Sequence, residues 1–196
     1  LHHIAFEEKR YYGRWIAELP YDKGLRLPSG MIRGQKIMEL LQYRTLPFHG
    51  TSDFNELPIP FLCIATDVST GEAVVQDHGY LPEAMRASMS IPTFFSPLLR
   101  DSLLLVDGGE VRNFPVSDAR ERGCDLVIGV DVGDGLLSAE ELQNPLDVLT
   151  QSAMFGSLRD TERQRALCDV LIIPDYSPYS TASFEEDAVA YLVRKG

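Results

Sequence analysis

Four short apolar runs constrain this chain most: Phe61-Leu62-Cys63-Ile64-Ala65, Leu103-Leu104-Leu105-Val106, Leu126-Val127-Ile128-Gly129-Val130-Asp131 and Val170-Leu171-Ile172-Ile173. Each has strand length and little polar alternation, the pattern of strands buried in a layered fold. Helical patterns lie between them. Met31 to Tyr43 places Ile32, Ile37, Leu40 and Leu41 on one face, with Ser29 as a cap. Leu81 to Met89 closes at Ile91-Pro92, because the residue before proline resists helical geometry. A third helix runs from Pro115 to about Arg122, with Gly123 at its end. Two more are expected from Pro145 to about Leu167 and from Phe184 to Lys195. Thr70-Gly71 turns into a further extended run at Ala73-Val74-Val75. Strand–helix alternation of this kind predicts an α/β fold with a mainly parallel central sheet and helices on both faces. Residues 1–28 read as a polar, aromatic stretch with a short extended ribbon around Leu25 and Leu27.

Length and charge narrow the function. A chain of 196 residues with 44% hydrophobic content can bury one full core, and no linker or repeat divides it, so residues 1–196 read as one domain. A net charge of −11 argues against nucleic acid, since no basic stripe able to displace its counterions occurs in the sequence. The same charge disfavours broad adsorption to an anionic bilayer, while leaving local apolar contact open. Cys63, Cys124 and Cys168 are too scattered for a disulfide framework or a zinc site, and read as structural thiols. His2, His3, His49 and His78 show no metal-ligand spacing to any cysteine. No run reaches membrane-spanning length. The first residue is Leu rather than Met, so this end says nothing about compartment; cytoplasm and cell envelope both stay open.

The chemistry centres on Asp107-Gly108-Gly109, at the end of the run Leu103–Val106. A carboxylate launched from a buried strand onto a turn without Cβ atoms is where α/β enzymes place an acid or base. Its apolar approach is the setting that raises a carboxylate pKa toward a useful base. No G-x-G-x-x-G or Walker pattern occurs, which argues against nucleotide binding, and no G-x-S-x-G elbow occurs. Gly50-Thr51-Ser52-Asp53-Phe54 lacks the closing glycine, and Gly156-Ser157 lacks the intervening residue.

Four stretches taken in order carry a resemblance: Ile64-Ala65-Thr66-Asp67-Val68-Ser69-Thr70-Gly71, Ala84 to Pro92, Leu105 to Val116, and Gly123 to Val132. They resemble the bacterial patatin-like phospholipase family, most specifically in A-S-M-S-I-P followed by D-G-G-x-x-x-N-x-P. The resemblance implies a three-layer α/β/α sandwich that hydrolyses lipid acyl esters with a Ser/Asp dyad. Asp107 then corresponds to the dyad aspartate, and Gly108 and Gly109 to its turn. In the family, the nucleophilic serine and the glycine-rich oxyanion loop precede the matched stretches. The resemblance therefore implies that this chain holds no nucleophile and is incomplete at its N-terminus. A lipid or phospholipid substrate and peripheral membrane contact are implied; no metal or organic cofactor is.

Other residues receive local roles. Ser88 and Ser90 read as helix-end hydrogen-bonding groups, and Asp67 as a turn former. Asn113 is expected to order the turn after Asp107 by side-chain-to-backbone bonding, and Arg86 to pair with a nearby carboxylate. Tyr11, Tyr12 and Trp15 read as ribbon packing. A catalytically inactive lipid-binding or scaffolding module is the alternative. A metal-dependent hydrolase built on Asp107, Asp131 and Asp134 ranks last, because no histidine cluster accompanies them.

Overall fold

The structure, a computed structural model, describes residues 34–195 apart from 93, 134, 141, 180–182 and 184. The ribbon at Leu25 and Leu27, the aromatics Tyr11, Tyr12 and Trp15, the cap Ser29 and the carboxylate Asp134 lie outside the described residues. Helix α1 (Gln35–Arg44) leads through two 3-10 turns to β1 (Cys63–Asp67) and β2 (Glu72–Gln76). Then follow α2 (Leu81–Ser88), β3 (Leu98–Arg100), β4 (Leu103–Asp107) and a 3-10 turn over Gly108–Glu110. Helix α3 (Val116–Glu121), β5 (Ile128–Val130), α4 (Pro145–Arg165), β6 (Val170–Ile172) and α5 (Glu186–Lys195) complete the order. The mixed α/β character expected from the sequence holds.

The main sheet corrects one expectation. Its order is β2-β1-β4-β3, and every pairing in it is antiparallel rather than parallel. The connections decide this. Only residues 68–71 join β1 to β2, and only Asp101-Ser102 join β3 to β4, whereas a parallel pair needs a crossover of a dozen residues or so. The β3–β4 hairpin escaped the sequence reading because its turn carries no glycine. Asp101 and Ser102 both take positive φ, 49° and 69°, as a two-residue hairpin turn requires. Parallel pairing occurs in a separate two-stranded sheet, where β5 and β6 are joined through α4.

The core follows from small residues on α2. Ala84 and Ala87 are fully buried and let the helix backbone approach the sheet. Ala84 packs with Phe54 and Leu81, with Phe61 and Cys63 against them. Ala87 packs with Ala65 of β1 and Leu105 of β4. Leu105, 1% exposed, contributes about 1.5–3 kcal/mol through burial. A third cluster joins Phe114, Val116 and Val127. The run Val170–Ile173, expected to be buried, is exposed instead, with Val170 and Ile172 each at 45%. Among the described residues β6 pairs with β5 alone, and Ile128 and Val130 of β5 are exposed as well.

Candidate active site

Asp107 ends β4, an inner strand of the main sheet, and caps the 3-10 turn that follows. Its Oδ1 accepts the Gly109 N–H at 2.7 Å, so the carboxylate folds back over its own turn. The turn closes when Val111 N–H and Arg112 N–H donate to the Gly108 carbonyl at 3.2 and 2.8 Å. Gly108 is glycine because of a close approach: a Cβ there would lie 2.3 Å from Ile64 O and 2.6 Å from Ile64 C, both backbone atoms of β1. At Gly109 a Cβ would stand 2.8 Å from Asp107 Oδ1 and 2.9 Å from Asn113 Oδ1. Both glycines are thus needed for space, Gly108 against the β1 backbone and Gly109 beside the carboxylate, not for a positive φ.

Burial pushes the Asp107 carboxyl above the usual carboxylate range, and the Gly109 N–H pulls part of the way back. Glu110, in the same turn, is also raised, first by burial and then by the charge of Asp107. The turn that Asp107 caps keeps Glu110 within reach of its charge. The sequence reading passed over Glu110, although its spacing from Asp107 was the signal.

Beside the turn lies a cavity of about 540 Å³. Asn113, Asp131 and Gly133 line one side, Leu136, Met154, Phe155 and Leu158 supply apolar wall, and Arg165 closes it with others of α4. Asp107 itself is not in the lining; Asn113 connects the two. Its side chain stands between Gly109 and Gly133, whose Cβ would lie 3.3 Å from Asn113 Nδ2. Asn113 makes no side-chain-to-backbone hydrogen bond among the described residues, contrary to expectation. The turn is held by the Gly108 carbonyl instead.

Asp131 keeps a structural role: Oδ1 accepts the Gly133 N–H at 2.9 Å, and Oδ2 pairs with Arg165 Nε at 2.7 Å. Asp67 forms the expected turn, accepting from Ser69 N–H at 3.0 Å and Thr70 Oγ1 at 3.1 Å. Hydrogen bonds hold its carboxyl below the ordinary range, foremost that from Ser69. His49 lies against Thr45 and Tyr80, and His78 against Asp77. Ser90 bonds back to Arg86 O at 2.7 Å, as a helix-end serine should. Arg86 departs from expectation. It meets no carboxylate among the described residues, but donates to Ser90 Oγ and to Ser96 O and stacks on Phe95. Cys63 and Cys168 are partly buried, whereas Cys124 is exposed rather than structural. No described helix is long and apolar enough to cross a membrane.

The model of one protein family, described as patatin-like phospholipase, matches residues 5–120. Over 84 residues the chain is 34% identical to Lysophospholipase NTE1 of Saccharomyces cerevisiae, covering 43% of this chain and 5% of that protein. It is 32% identical over 127 residues to an uncharacterized NTE family protein of Mycobacterium tuberculosis, covering 62% and 34%. Against patatin-like phospholipase domain-containing protein 7 of Mus musculus the identity is 39% over 80 residues, covering 40% and 6%. The chain thus corresponds to between 5% and 34% of the length of these relatives.

Proposed function

Because this chain belongs to the patatin-like phospholipase family, we propose that it supplies the base of a Ser/Asp dyad that hydrolyses acyl esters of phospholipids or lysophospholipids. The observation that carries the reading is Asp107, a half-buried carboxylate with a raised pKa on a strand-end turn where Gly109 leaves it space and Gly108 lets the turn lie against β1. A serine hydroxyl is a weak nucleophile and needs a base within hydrogen-bond reach. A carboxylate of ordinary pKa accepts its proton poorly; burial improves the match. In this reading the serine oxygen attacks the acyl carbonyl as Asp107 takes the proton. Asp107 then returns the proton to the leaving alkoxide, and finally activates the water that frees the fatty acid. Backbone N–H groups outside the described residues would stabilise the oxyanion.

No G-x-S-x-G occurs in the 196 residues, so the proposal leaves the nucleophile to a segment outside them. It keeps the three-layer sandwich implied by the resemblance, with the antiparallel sheet as part of it. The cavity reached through Asn113 has the size and apolar wall suited to an acyl chain. Lipid at a bilayer surface is the expected source of substrate.

The test uses the full-length protein with p-nitrophenyl butyrate and a lysophospholipid. Turnover that a serine-directed fluorophosphonate blocks, and that Asp107→Asn lowers about a thousandfold, is expected. Near-normal turnover by a folded Asp107→Asn variant refutes the assignment. Residues 1–196 expressed alone should be inactive. Absence of turnover and of fluorophosphonate labelling in the full-length protein would favour the inactive lipid-binding module, a reading that the missing elbow also suits.

A further inference from the structure

The Asp107 peptide is held at both ends by residues buried beneath the site. Its N–H donates to the carbonyl of Ser90 at 3.0 Å, and its carbonyl accepts from Thr66 Oγ1 at 2.9 Å. Thr66 comes from the neighbouring strand β1, where Ala65 is the register partner of Asp107. Ser90 comes from the segment after α2. Thr66 is 4% exposed and Ser90 is fully buried.

Ser90 is in turn fixed by Arg86. The guanidinium donates through Nη1 to Ser90 Oγ, while that hydroxyl donates back to the Arg86 carbonyl. Nη2 reaches Ser96 O at 3.3 Å, and the guanidinium lies 4.8 Å from the centre of the Phe95 ring. Gly34, at the start of α1, closes over it: a Cβ there would lie 2.4 Å from Arg86 Nε. Arg86 is 3% exposed and forms no ion pair among the described residues. Burying a cation without a counter-ion is costly, and burial lowers its pKa. An apolar side chain would fill the same space at less cost. What it would lack is a rigid fork able to tie two points of one segment at once. Those points, Ser90 and Ser96, bracket the segment that presents its carbonyl to Asp107.

We propose that Thr66, Ser90 and Arg86 are positioning residues that hold the Asp107 peptide at the angle its chemistry needs. The inference rests on Asp107 being the base. Such bonds matter because a displacement of about 1 Å at a reacting group can cost about a hundredfold in rate.

The test compares Thr66→Val, Thr66→Ser and Arg86→Lys in the full-length protein. Thr66→Val keeps shape and burial but deletes the donor. It should lower kcat about ten- to a hundredfold with KM nearly unchanged, and Thr66→Ser should recover most of the loss. Arg86→Lys, which cannot fork, should lower kcat similarly. In both damaging variants the Asp107 amide should exchange its hydrogen at least about tenfold faster, with the Val74 amide of β2 unaffected. Wild-type kcat together with wild-type Asp107 exchange in folded Thr66→Val overturns the proposal. So does a loss of stability with the kcat of the folded fraction unchanged. Should Arg86→Lys fail to fold, the Thr66 pair decides. A fully active Asp107→Asn would refute the dyad reading separately, and the exchange rates would still show whether the Asp107 peptide is held in this way.

Discussion

Gly108→Ala is the sharpest single perturbation of this site. A methyl group there would lie 2.3 Å from the Ile64 carbonyl oxygen, where ordinary contact begins at 3.4 Å. Ile64 belongs to β1, so its carbonyl cannot rotate away as a side chain could. Relief requires β1 and the start of the turn to part by about 1 Å, which weakens the pairing that positions Asp107. The obstacle is backbone, so the cost should sit at the upper end of overpacking penalties, about 3 kcal/mol. For a chain of this size that lowers Tm by about 6–12 °C. Displacing Asp107 by about 1 Å should also lower kcat about a hundredfold. Thermal unfolding by circular dichroism and p-nitrophenyl butyrate turnover measure the two effects. Gly50→Ala is the control: a Cβ there meets nothing within 4 Å, and stability should rise by about 0.5 kcal/mol or not change. A Gly108→Ala protein with Tm within about 2 °C of the parent would refute the close-approach reasoning.

Asp107→Asn should stabilise the fold at neutral pH. The folded state raises the Asp107 pKa, so the ionised form costs stability, and that cost appears as pH rises through the folded pKa. The Tm advantage of the variant should therefore be present at about pH 8 and vanish at about pH 3, below the unfolded pKa; an advantage that grew on acidification would contradict the assignment. Arg165→Met strands the Asp131 carboxylate, whose side chain is 3% exposed. Urea unfolding should show a loss of about 3–5 kcal/mol, much of it recovered by the double variant with Asp131→Leu; no loss would mean the pair is not buried in solution. Burial pushes the Cys63 thiol up to about 11, while Cys124 is exposed. Iodoacetamide at about pH 8 should alkylate Cys124 first and Cys63 only after denaturation, as read by peptide mass; equal rates would show Cys63 to be accessible.

Much of the local structure was legible because it rests on local rules. The helices at Leu81–Ser88 and Val116–Glu121 begin and end near their proline and glycine signals, and β1 and β4 coincide with apolar runs. Asp107, Gly108 and Gly109 were singled out as a turn free of Cβ atoms; the space itself is decided by tertiary neighbours, the β1 backbone at Gly108 and the Asp107 and Asn113 side chains at Gly109. Sheet direction was misjudged, because strand–helix alternation counts elements, whereas direction depends on connection length and on a hairpin turn made by Asp101 and Ser102 without glycine. Thr66, Ser90 and the carboxylate-free burial of Arg86 were not legible in these roles. Thr66 lies 41 residues from Asp107 in sequence yet shares a hydrogen bond with it. A single sequence records which side chains are present and how they repeat. Which of them meet across a sheet, and how deeply a charge is buried there, depends on long-range packing that only the tertiary structure decides.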